Sequence, residues 1–167
     1  MALVIEDGSL VDGADSWAAR VEYIAYAASV GVTISSNSSA DEELVSSARF
    51  ICSKESELKG TLIERDQALC FPRYDLTVNG WPIDSDEISP LLKKLQMELA
   101  LDLHSGIDIY NVEKEVPPVV EKRIEGAIDI KYASPKGASS RRRITRSRQY
   151  LNMFLKDCNY GISVERR

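Results

Sequence analysis

The chain has 167 residues, 44% hydrophobic and 28% charged, and its 26 Asp and Glu outnumber 21 Lys and Arg for a net charge of −5. That length supports one ordinary domain with a real core, and the composition excludes a disordered or fibrous polypeptide. The charge is unevenly placed: residues 1–140 hold 13 basic and 24 acidic side chains, net −11, whereas residues 141–167 hold 8 and 2, net +6. An acidic body with a basic tail implies a partner of opposite sign, either nucleic acid or the acidic surface of another copy.

The opening "VIEDGSLVDGADS" sets turn residues around short apolar pieces, which predicts a brief strand or extended arm and then a loop. Ser16 or Asp15 is suited to accept the first backbone N–H groups of a helix from about Trp17 to Ser29. Val21, Ile24, Tyr26 and Ala28 form its apolar side and Gly31 ends it. After the polar "TISSNSSA", Ser39 or Asp41 caps a second helix at about 41–56. Leu44, Val45, Ala48, Ile51 and Cys52 recur there at three- and four-residue spacing.

The stretch "KGTLIERDQALCFPRYDLTVNGWPIDSDEIS" reads as a long irregular segment with two proline stops and an Asn-Gly turn, its aromatics Phe71, Tyr74 and Trp81 lying on the helices. Pro90 then fits the first turn of a third helix, where no N–H is missed. Leu91, Leu92, Leu95, Leu99 and Leu103 stack on one face, widened by Met97, Ala100 and Leu101, so this helix is expected to be central and most buried, ending near Ser105-Gly106. Further on, Ile128, Ile130 and Tyr132 alternate with Asp129 and Lys131, the period of a strand. Glu125-Gly126 turns it back on a strand at about 118–124, giving a hairpin. A hairpin alone is marginal in water and needs the helices or another subunit. "SPKGASSRRR" has a linker's composition, and a short helix at about 144–157 follows, with Ile144, Tyr150, Leu151, Phe154 and Leu155 on its sticky side.

Reaction chemistry is sparse. His104, the single histidine, sits near a helix end and reads as a surface or C-terminal capping residue. Cys52, Cys70 and Cys158 are far apart and odd in number, with no Cys-x-x-Cys, and read as buried or half-buried thiols of a reducing compartment. Asp84, Asp86 and Glu87 precede the third helix, where its dipole favours negative charge. Neither phosphate-cradling glycine motif occurs. The expectation is therefore no enzyme, no catalytic residue, no metal and no cofactor. The N-terminus lacks a signal peptide's basic and apolar regions, and no apolar run reaches membrane-spanning length, so no membrane partner is expected.

Five arginines, Arg141, Arg142, Arg143, Arg146 and Arg148, crowd into eight positions. Pairing with carboxylates of a neighbouring protein would guide docking and register. Neutralising phosphates would bind nucleic acid, with Tyr150 nearby to stack a base. A solvated linker is the third reading. The acidic body argues against a general nucleic-acid binder.

"MALVIEDGSLVDGADSWAARVEYIAYAASVG" and "QALCFPRYDLTVNGWPIDSDEISPLLKKLQMELAL" resemble a tailed-phage family labelled DnaT-like single-stranded-DNA-binding protein. The family pattern runs Gln-Ala-Leu, Trp-Pro-Arg, a Gly with an Ile, then Ile-Pro before a helix rich in Glu, Leu and Ala. This chain has Phe71-Pro72-Arg73, with Phe71 replacing the Trp, and Ile88-Ser89-Pro90. "IEGAIDIKYA" and the Arg-ended tail are similar too. The label implies single-strand work. Proteins of this pattern also resemble head-to-tail adaptors, which form a ring, usually dodecameric, under the portal protein and extend the DNA channel.

The expectation built on both is a mainly α fold: a small helical bundle with a β-hairpin and an extended C-terminal basic helix or tail. Residues 1–138 form the body, with the hairpin at about 116–133, and residues 139–167 the docking tail. Arg141, Arg142, Arg143, Arg146, Arg148, Tyr150, Leu151, Phe154, Leu155, Arg166 and Arg167 are expected to meet the portal or a neighbouring subunit. The expected setting is the virion neck, assembled in the host cytoplasm, with neighbouring copies in the ring, a tail or nozzle protein below, and DNA passing without sequence specificity. Binding of single-stranded DNA is the alternative.

Overall fold

The computed structural model describes residues 3–110 and 146–156 in full, and the backbone of 119–125 and 127–132. The fold is mainly α with small antiparallel strand pairs. Helices α1 (Arg20–Ser29), α2 (Asn37–Ser53), α3 (Pro90–His104) and α4 (Arg146–Phe154) carry the body. β1 (Thr61–Leu62) pairs with β2 (Arg73–Tyr74), β3 (Leu76–Val78) with β4 (Trp81–Ile83), and β5 (Val119–Glu125) with β6 (Ala127–Tyr132).

The helix ends follow from local hydrogen bonding. Ser16 does not cap α1; its hydroxyl donates to the Ala18 carbonyl at 2.7 Å. Trp17 and Ala18 give their N–H groups to the Gln96 side chain at 3.1 and 2.9 Å, so neither enters the helix. The helix begins at Arg20 instead of Trp17, and Glu22 reaches back to accept the Ala19 N–H at 2.9 Å. At the other end the N–H groups of Gly31 and Val32 bond to Ala28 and Ala27, the paired closure that a residue at φ +82° permits and glycine adopts freely. α2 starts four residues earlier than the expected 41, because Ser36 accepts the Ser39 N–H at 3.3 Å. α3 matches its reading: Ser89 caps it through the Leu91 N–H, with Pro90 in the first turn.

The segment between α2 and α3 is more ordered than its composition suggests. Asn79 (φ +53°) and Gly80 (φ +83°) form the two-residue turn of the β3–β4 hairpin, the twist that joins adjacent antiparallel strands. β3 sends Leu76 and Val78 into the core. Of the three aromatics expected to lie on the helices, only Phe71 does so; Tyr74 and Trp81 remain exposed. The Phe71–Pro72 peptide bond is cis.

α3 is the central helix and divides the core. Leu92, Leu95 and Leu99 pack with Trp17, Ile51, Leu58, Phe71, Leu151 and Phe154, while Met97, Ala100 and Leu101 pack with Ala18, Tyr23, Ala27 and Leu44. Each large apolar side chain fully buried here contributes roughly 1.5–3 kcal/mol. α4 lies against α3 and β3. Its far end is sewn to the turn after α2, with the Lys59 N–H on the Phe154 carbonyl and the Lys156 N–H on the Glu57 carbonyl, each at 2.8 Å.

The N-terminal loop is organised by one carboxylate. Glu6, nearly fully buried, accepts the N–H groups of Gly8, Leu10 and Val11 at 2.8–3.0 Å. Gly8 (φ +112°) lies so close to the Asp86 carbonyl that a side chain there would collide with it.

Candidate nucleic-acid interface

Of the expected contact residues, Arg141, Arg142, Arg143, Arg166 and Arg167 lie outside the described residues. Arg146 is exposed, and Arg148, Tyr150 and Leu155 are half-buried. Leu151 and Phe154 are placed differently from expectation. Phe154 is fully buried and Leu151 nearly so, both inside the chain's own core. Phe154 meets the edge of Phe71 at 5.6 Å, and Phe71 meets Trp17 at 6.0 Å. An amphipathic helix of nine residues has one apolar stripe, and this one spends it on α3 and β3. In this structure these two side chains hold α4 in place and do not point at a partner.

An adjoining side of α4 lines a groove. Arg146, Gln149, Tyr150 and Met153 face Tyr26 of α1 and Glu98 of α3 across a cavity of about 380 Å³. Glu98 is 6% exposed, and it accepts the Tyr26 phenol O–H at 2.6 Å. Burial, and then the Glu98 hydrogen bond, push the Tyr26 phenol well above its ordinary pKa, with the Arg146 charge acting in the other direction. The groove thus joins two phenol rings, a buried carboxylate, an amide and an exposed guanidinium. In the sequence, Tyr26 stands out only as part of an apolar helix side, and Glu98, Gln149 and Met153 do not stand out as site residues. One signal is present: Glu98 stands between Met97 and Leu99, within the leucine-rich run of α3.

Asp102 joins residues that lie on either side of 111–145 in the sequence. Its carbonyl accepts the Ile107 N–H at 3.0 Å, and its carboxylate accepts the Ser147 hydroxyl. Tyr110 stands edge-on to Phe50 at 5.4 Å. Ile107 and Ser147 are therefore both held at the same end of α3.

Other charged groups are structural. Arg73, 5% exposed, donates to the Gly60 and Cys70 carbonyls at 3.0 and 3.3 Å and lies over the Phe71 ring. Arg20 forms a two-pronged pair with Asp41, its Nε at 2.6 Å. His104 ends α3 with Nδ1 2.9 Å from Glu43, whose other oxygen accepts the Tyr23 phenol O–H at 2.7 Å. Cys52 and Cys70, distant in sequence, are adjacent, with the Cys70 N–H on the Cys52 sulfur at 3.1 Å. Among the described residues, no three His, Cys, Asp or Glu side chains are arranged to hold a metal ion, and no helix is long and apolar enough to cross a membrane.

No curated protein and no solved structure matches the chain. A family model does match, over residues 1–167. With the whole length covered, the chain belongs to the family described as "Putative DnaT-like ssDNA binding protein".

Proposed function

We propose that this protein binds single-stranded DNA without catalysing a reaction, its basic C-terminal part meeting the phosphates. Membership of the family so described carries the reading. The distribution of charge supports it. Residues 1–110 hold 8 Lys and Arg against 19 Asp and Glu, net −11, and residues 111–167 hold 13 against 7, net +6. The acidic body confines the strand to the basic end. Each phosphate neutralised on a single strand releases counterions, so five contacts from Arg141, Arg142, Arg143, Arg146 and Arg148 give a slope of about −3.5 in log affinity against log salt. Fluorescence anisotropy of a labelled oligonucleotide across a salt series tests this. Failure to retain the strand in low salt overturns it.

A second reading is favoured by the pairing of β5 with β6. A two-stranded hairpin gains stability from packing on a further surface. In a head-to-tail adaptor of a tailed phage, that surface is a neighbouring copy in the ring or the portal protein, with a tail or nozzle protein below and DNA passing through the channel. Such a ring interface joins two different patches, as an acidic body and a basic end provide. The setting is then the virion neck. Imaging purified portal with and without this protein decides it: an added ring layer supports the adaptor, and unchanged portals overturn it.

A further inference from the structure

We propose that the groove between α1, α3 and α4 is a nucleobase pocket selective for guanine. The proposal rests on the single-strand reading and adds to it a preference among bases.

Three features of the groove point to a base. Its volume, about 380 Å³, accommodates one purine lifted out of the stack. Tyr26 and Tyr150 line it, and bases stack on aromatic rings whatever their identity. Arg146, exposed at the first turn of α4, lines it, so a phosphate held there places its own base at the mouth.

Glu98 supplies the selectivity. A carboxylate repels phosphates, so in a strand-binding groove its favourable partner is a base N–H. Glu98 takes one O–H, from Tyr26, and a carboxylate has capacity for about four hydrogen bonds, so accepting positions remain. Guanine presents its N1–H and its 2-amino N–H side by side, matching two carboxylate oxygens. Adenine and cytosine offer an amino group next to a ring acceptor, which the carboxylate repels. Thymine offers one N–H between two carbonyls. Gln149, on the α4 side of the groove, can donate and accept at the other edge of the base. Because Glu98 is anchored in the central helix and held by Tyr26, it meets the base without first being ordered.

The test uses full-length protein and anisotropy of labelled oligothymidylates in low salt, identical except for one central base: guanine, hypoxanthine or thymine. Hypoxanthine keeps the ring N–H and lacks the 2-amino group. The guanine strand is expected to bind about tenfold more tightly than the thymine strand, with hypoxanthine between them. Glu98→Gln keeps a hydrogen-bond acceptor for Tyr26, and it should bring the guanine-to-thymine ratio close to one. Equal binding of all three strands by the unaltered protein overturns the pocket and leaves the single-strand reading standing. Persistence of the guanine preference in Glu98→Gln overturns the role of Glu98. Retention of none of the strands overturns the pocket and the single-strand reading together.

Discussion

The side-chain oxygen of Gln96 accepts the backbone N–H of Trp17 at 3.1 Å, tying the centre of α3 to the residue that enters α1. The same amide takes the Ala18 N–H, and its own N–H groups go to Ser16 Oγ at 2.8 Å and the Leu44 carbonyl at 3.0 Å. One fully buried side chain thus holds three segments by four hydrogen bonds. Gln96→Leu has a similar volume and leaves two buried N–H groups without acceptors. A loss of roughly 3 kcal/mol is expected. Urea unfolding followed by circular dichroism measures it, and a loss below the cost of a single such bond would contradict the assignment.

Phe154 predicts the effect of shortening the chain. A body expected at residues 1–138 lacks α4, and the core then loses Leu151 and Phe154. Phe154→Ala alone should cost about 3–5 kcal/mol. A chain ending at Ser139 should melt at a markedly lower temperature than the full chain in calorimetry. Equal melting temperatures would show that the helix adds nothing to the core.

Tyr23 and Tyr26 predict behaviour in alkali. Burial, and next the hydrogen bonds to Glu43 and Glu98, raise both phenols well above their ordinary value of 10.0. A raised folded pKa gives stability that is complete below about pH 10 and is lost as pH climbs through the folded value. Tyrosinate absorbance should therefore rise in two stages, exposed phenols first and this pair only with unfolding. A single stage, with the fold intact, would refute the prediction.

Cys52 predicts a chemical asymmetry. The Cys70 side chain is the main cause holding its thiol below the ordinary value, while burial pushes the Cys70 thiol up. Cys52 is also the more accessible of the two. Iodoacetamide at neutral pH should label Cys52 well before Cys70, with a pH midpoint below that of an ordinary thiol. Peptide mass spectrometry reads the order, and earlier labelling of Cys70 would reverse the claim.

What sequence patterns reveal here follows the range of the interactions. α3 was legible because its leucine spacing and its Ser89-Pro90 start are local. The start of α1 was not, since Ser16 looks like a cap and only Gln96, some eighty positions away, withdraws Trp17 and Ala18 from the helix. α4 was found as an amphipathic helix, but its pattern cannot tell whose core receives Leu151 and Phe154. The Asn79-Gly80 turn was visible, while the two- and three-residue strands around it were too short to show a period. The groove combines α1, α3 and α4, and its floor, Glu98, gains meaning only from Tyr26 seventy-two positions earlier. The arginines stood out by composition alone.

The double attachment at Asp102 has an evolutionary consequence. Ile107 and Ser147, which flank residues 111–145 in the sequence, are each fixed to α3. Doubling the length of a flexible connection costs only about 0.6 kcal/mol in closure entropy. A longer or shorter stretch in place of residues 111–145 should therefore leave the four helices folding as before, open to refitting for a changed counterpart.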